Sequence, residues 1–205
     1  MKAADFAAHE LTAAGFSTKE LKNGGYVTAQ ELRAAGCTVG ELRAGGFNAQ
    51  NLRVGGFGAE ELAAGGFDAR ALRMGGFSAL DLRHADFSPS ALREAGYHAK
   101  ALKAAGFSAA DLKAVGFTAS DLYDKKKSEN GFSVIELHEC GFDAKALWAA
   151  GVRVEQLDRS LGLTLHDLHT AGYDAKDLRT YGFTAPDLER LGYGVRELKV
   201  SSSHH

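Results

Sequence analysis

An aromatic residue followed five places later by leucine recurs along this chain about every ten residues. Stretches such as FSAADLKAVG, residues 107 to 116, return with small changes from Phe6 to the unit that opens at Tyr193, giving about nineteen units. The consensus, numbered here as positions one to ten, reads aromatic, cap, Ala, any, acid, Leu, base, any, small, Gly. Cys37, Val152 and Leu163 replace the aromatic residue, whereas the leucine persists in every unit from Leu11 to Leu198. One extra residue enters the units opened by Tyr26 and Val152, and five enter the unit opened by Phe117.

Each unit carries the punctuation of a short helix. Ser, Thr, Asp or Asn stands at most cap positions, often with Glu or Asp three residues later, as in Ser17 with Glu20, Thr28 with Glu31 and Ser108 with Asp111. Such pairs predict capping boxes, in which side chains satisfy the free N–H groups of the first turn. Pro89 and Pro186 fall in a first helical turn, where a missing N–H costs little. The closing glycine predicts a left-handed residue that ends the helix, and Asp86, which takes its place once, tolerates that conformation. Isolated helices below about 12–15 residues are marginal in water, so units of this size must stack to survive.

On a helical wheel the leucine at position six points inward, flanked by the small residues at three and nine, while four and eight point outward. The aromatic residue fills the interior at the corner. The pattern predicts an all-α fold, a single solenoid or superhelix over residues 6–200. Three or four units per turn fit the pattern, and the corner geometry favours about four. Residues 124–130, within YDKKKSENG, read as an exposed insertion loop, and SSSHH at 201–205 as a tag remnant.

Composition narrows the function classes. The 25 glycines come with only two prolines and no collagen period, and the formal charge is −2, which carries no polyanion signature. No apolar run approaches the roughly 20 residues of a membrane span, and nothing reads as a signal peptide. Cys37 and Cys140 are far apart and outside metal or redox motifs, so they read as buried packing thiols in a cytoplasmic, reducing setting. The basic residues at position seven and the acids at position five lie on opposite helix flanks. Stacking would bring one flank against the other, and acid–base pairing between coils is the expectation, with polyanion or nucleic-acid binding through the basic flank as the alternative.

No phosphate loop, nucleophile elbow or zinc-protease signature occurs, so no catalytic, cofactor or metal residue is assigned and no enzyme is expected. His166 and His169, three apart, read as a solvated pair rather than a metal site. The repeat written in FSAADLKAVG and FTAPDLERLG resembles the decapeptide repeats of microbial eukaryotes and some bacteria, many of whose carriers have no assigned role. That resemblance implies a repeat solenoid and carries no functional residue over. What the residues themselves suggest is a scaffold that binds another protein. Val54, Met74 and Leu80 at outward positions, and Tyr123 and Trp148 in place of the position-seven base, are the candidates for partner contact.

Overall fold

The computed structural model describes residues 6–25, 27–123, 131–157 and 159–194. Helix follows helix in step with the repeat, and among the described residues there is no strand. The insertion at 124–130, the tag reading at 201–205 and the last unit's helix at 195–200 lie outside the described residues. Two compact units divide the chain, Met1–Tyr97 and His98–His205, so the insertion falls inside the second unit and not at the division.

The first unit holds α1 (Ala8–Ala13), α2 (Thr18–Asn23), α3 (Ala29–Ala34), α4 (Val39–Ala44), α5 (Ala49–Val54), α6 (Ala59–Ala64), α7 (Ala69–Met74), α8 (Ala79–His84) and α9 (Pro89–Glu94). The second holds α10 (Ala99–Ala104), α11 (Ala109–Ala114), α12 (Ala119–Leu122), α13 (Val134–Glu139), α14 (Ala144–Ala149), α15 (Leu165–Ala171), α16 (Ala175–Tyr181) and α17 (Ala185–Arg190). In the repeat opened by Val152 the α-helix gives way to two 3-10 turns, Val154–Gln156 and Arg159–Leu161.

Most helix starts are built by the cap pair. At α3 the Thr28 hydroxyl accepts from the Glu31 N–H at 3.2 Å, and the Glu31 carboxylate accepts from the Thr28 N–H at 2.6 Å. The helix ends are Schellman motifs. At the end of α5, Gly56 N–H donates to Arg53 C=O and Phe57 N–H donates to Leu52 C=O, both at 3.0 Å. Gly56 sits at φ 86, where an L side chain is strained, and Asp86 is the one described non-glycine residue with positive φ, at 60. The same bond closes the corner at the insertion: Phe132 N–H donates to Leu122 C=O at 3.0 Å, across the whole inserted segment.

Helices stack on their next-but-one neighbours. In the first unit α1, α3, α5, α7 and α9 pack in succession, as do α2 on α4 and α6 on α8. In the second, α10 meets α12, α11 meets α13, and α12 meets α14, which packs on α15. Gly55 shows how close the approach is: a Cβ there would stand 2.7 Å from the Ala29 methyl on the helix below. The buried leucines at position six form the axis of this core, and Leu32, Leu52, Leu72 and Leu92 have no exposed surface. Aromatic residues from Phe47 to Phe77 and Tyr97 close it at the corners, although Phe6 and Phe16 are exposed.

The coil is tighter than the four repeats expected from the corner. Side chains that cross between coils reach 22 to 28 residues ahead, which is between two and three repeats per turn. A helix would lie over its fourth successor in a four-repeat coil, whereas the observed partner is the second. The extended cap residue and the left-handed glycine together turn the chain through more than a right-angle corner would.

Candidate functional site

The position-seven bases form an internal clamp. The Schellman closure bonds the last helical carbonyls at each C-terminus, which leaves those at positions nine and ten without helical partners. The base two repeats earlier donates to them. Lys22 donates to Gly46 C=O and Arg33 to Gly56 C=O. Arg53 donates to Gly75 C=O at 2.8 Å, Arg73 to Ala95 C=O at 3.3 Å and Lys113 to Cys140 C=O at 3.0 Å. A cation beside a helix C-terminus is also favoured by the helix dipole.

Several of these cations also cover the next aromatic ring. Arg33 lies 4.7 Å from the centroid of Phe57, Lys103 4.6 Å from that of Phe132 and Lys113 4.8 Å from that of Phe142. These distances fall within the range of a cation–π contact. One side chain therefore satisfies a carbonyl, complements a dipole and shields a ring. Trp148 fills the equivalent corner with a neutral group: a Cβ at Gly172 would stand 3.5 Å from its indole.

Acid–base pairing between coils, the expectation from the flanks, occurs alongside this clamp. Ion pairs between coils include Arg33 with Glu61 at 2.9 Å and Lys103 with Glu136 at 3.8 Å. The acids also turn back to their own caps, and Glu61 and Glu136 do both. Hydrogen bonds from the Ser17 hydroxyl and N–H hold the Glu20 carboxyl below its usual range. Those from the Thr28 N–H and hydroxyl do so for Glu31, and the Thr38 pair for Glu41. Burial acts the other way on Asp177, pushing it up.

The outward positions remain open. Val54 is 78% exposed and Met74 is 76% exposed, and they stand at position eight of α5 and α7, which pack on each other. Ala34 occupies the same position of α3, the helix below α5, and is exposed. Leu80, 43% exposed, belongs to α8 in the alternate row stacked on α6, so it is not part of this column. Trp148 is 45% exposed on α14, and Tyr123, half-buried, ends α12 in extended conformation with a bridge to Phe132. Trp148 packs at its corner beside Gly172. Ile135, 43% exposed at position four of α13, is an outward apolar residue that the wheel could have found.

The remaining chemistry is dispersed. Among the described residues no three His, Cys, Asp or Glu side chains come together as metal ligands would. His169 is not simply solvated: its Nδ1 is 2.6 Å from the Tyr193 hydroxyl and its ring packs edge-on against Tyr193. Cys37 and Cys140 are free and half-buried rather than buried, and burial pushes the Cys37 thiol up. A surface groove of about 760 Å³ opens beside Cys37, lined by Arg33, Val39, Phe57, Glu61 and Ala64. No helix among the described residues is long and apolar enough to cross a membrane.

Short capped helices, glycine corners and a regular inter-coil clamp define an all-α repeat solenoid. The family model of the decapeptide repeat region matches residues 1–69, 27–92, 56–129 and 125–195, and the chain belongs to that family. Comparison with curated proteins and with solved structures found no match.

Proposed function

We propose that this protein is a non-enzymatic scaffold in a reducing, cytoplasmic setting, and that it binds another protein through its outer wall. The observation that carries the reading is the Ala34–Val54–Met74 column. Three outward residues on successively packed helices are apolar, and two of them are more than three-quarters exposed. Isolated apolar residues on a surface are ordinary. Side chains aligned on stacked helices form a continuous strip, which a partner can cover.

The clamp favours this reading over polyanion binding. The bases that would track phosphates already donate to backbone carbonyls and lie on rings, so their use by a polyanion would uncover both. The test is the double variant Val54→Lys with Met74→Lys, read by partner capture and by circular dichroism. Partner capture should be lost while the helical signal is retained. Equal capture by the folded variant would show the column to be passive. Retention on heparin that survives into high salt would favour the polyanion alternative instead.

A further inference from the structure

Ala63 breaks the clamp. It holds position seven of α6, and the corner it faces two repeats on is the one closed by Phe87, the same relation that links Arg33 to Phe57 and Arg73 to Tyr97. A methyl group cannot reach that corner. Phe87 is half-buried, as are Phe107 and Phe117, whereas Phe57, Phe67, Phe77 and Tyr97 are buried. The residue just before it is Asp86, in the left-handed conformation that glycine holds at the other corners of this unit.

The two departures have a common geometry. A Cβ at Gly56, Gly76 or Gly96 would stand 3.2–3.3 Å from the guanidinium of Arg33, Arg53 or Arg73. With alanine at position 63 no such group crowds residue 86, so an aspartate fits. Aspartate tolerates this φ better than most residues, and it places at this corner a carboxylate that glycine does not supply at the others. Among the described residues no ion pair engages the Asp86 carboxylate.

We infer that the corner formed by Ala63, Ala85, Asp86 and Phe87 receives an arginine side chain from a partner protein. The equivalents of the Ala85 and Asp86 carbonyls accept the chain's own cations elsewhere: position nine at Gly75 and Ala95, position ten at Gly46 and Gly56. Phe87 supplies the ring face that Phe57 offers Arg33. Asp86 adds a carboxylate, which takes a guanidinium fork in paired hydrogen bonds better than it takes an ammonium. The corner thus repeats the internal clamp with the cation supplied by another chain. This deepens the scaffold reading, on which it rests, by giving the partner's chemistry at a second place on the first unit.

The test is an NMR titration of the full chain with N-acetyl-arginine amide, using the citrulline compound as its neutral isostere. Saturable shifts at the amides of residues 85–88 are expected from the arginine probe alone, with the millimolar affinity of a single exposed contact. Ala63→Arg, or Ala63→Lys should the first variant not fold, should abolish them by filling the corner from within. Asp86→Gly should weaken them several-fold with an unchanged helical signal. The inference is overturned by equal shifts from both probes, by shifts that survive in the filled variant, or by none at this corner. A single amino acid reports on the corner whether or not Val54 and Met74 hold a partner, so the two ideas fail separately.

Discussion

Removing one clamp residue measures what holds neighbouring coils together. Arg33→Ala deletes the hydrogen bond to Gly56 C=O, the contact with the Phe57 ring at 4.7 Å and the ion pair with Glu61 at 2.9 Å. A charge-assisted hydrogen bond is worth about 1.5–3 kcal/mol net, and the low end applies because water can reach this corner. An exposed cation–π contact adds about 0.5–1 kcal/mol. The ion pair, roughly half exposed on both sides, adds at most about 0.5 kcal/mol after screening. A loss of about 2 kcal/mol follows, less than the roughly 3 kcal/mol expected when the fully buried Leu32 is cut to alanine.

Equilibrium urea unfolding followed by circular dichroism is the assay. With a slope of about 2 kcal/mol per molar, the midpoint should fall by about 1 M. Glu61→Gln separates the contributions, since it removes the ion pair and should shift the midpoint by only about a quarter as much. A double-mutant cycle of Arg33→Ala with Phe57→Leu should show a coupling of about 0.5–1 kcal/mol. The reasoning fails if Arg33→Ala costs no more than about 0.5 kcal/mol, the range of an ordinary surface change. It also fails if Glu61→Gln costs as much as Arg33→Ala, because the carboxylate would then be the main partner.

The cap carboxylates make the fold acid-sensitive. Glu20, Glu31, Glu41, Asp167 and Asp187 sit below their usual pKa through bonds from their own caps, so their stabilisation is present above the unfolded values near 4 and lost as pH falls through the folded ones. The helical signal should hold from neutral pH to about 5 and decline below about 4, and a signal unchanged to pH 2 would refute this. At the alkaline end, burial pushes Tyr173 up to about 12, and its hydroxyl donates to Val152 C=O at 3.1 Å. A raised pKa gives stability that is full below the unfolded value near 10 and lost toward 12. Its phenolate absorbance should therefore appear late, toward pH 12, and Tyr173→Phe should remove that late step.

What could be read in the sequence was whatever one repeat settles alone. Thr28 with Glu31, the glycine at 56 and the leucine at 52 act within their own repeats, so caps, corners and the buried stripe were all legible. Val54 and Met74 were legible as outward for the same reason. The stacking register was not. Acid–base matching could not choose between coil sizes, because the partners of Arg33, Arg53 and Arg73 are largely backbone carbonyls, which every repeat offers alike. Without that register Leu80 could not be separated from Val54 and Met74, nor Trp148 recognised as a stand-in for a clamp residue.

Once the register is known, the irregular repeats become consistent with one another. Thr12 holds position seven two repeats before the corner that Cys37 closes, and His138 stands in the same relation to Leu163. So does Tyr123 to Val152, with the insertion lying between them. In all three cases the ring is missing, and so is the lysine or arginine that would have covered it. His169 and Tyr193 make the complementary change, a ring against a ring, with a hydrogen bond where a carbonyl bond would have been. Cation and ring are thus one device shared by two coils. A lone cation would lose the face it covers, and a lone ring would lose its cover. Positions four and eight carry no such paired obligation, and of these side chains Ser120 reaches the next coil, donating to Ala149 C=O at 3.5 Å. Gln30, Gln50 and Arg70 can alternate there with Val54, Met74 and Leu80 without cost to the stack. The fold therefore confines most of its own requirements to the corners and core, and leaves the outer wall free to vary.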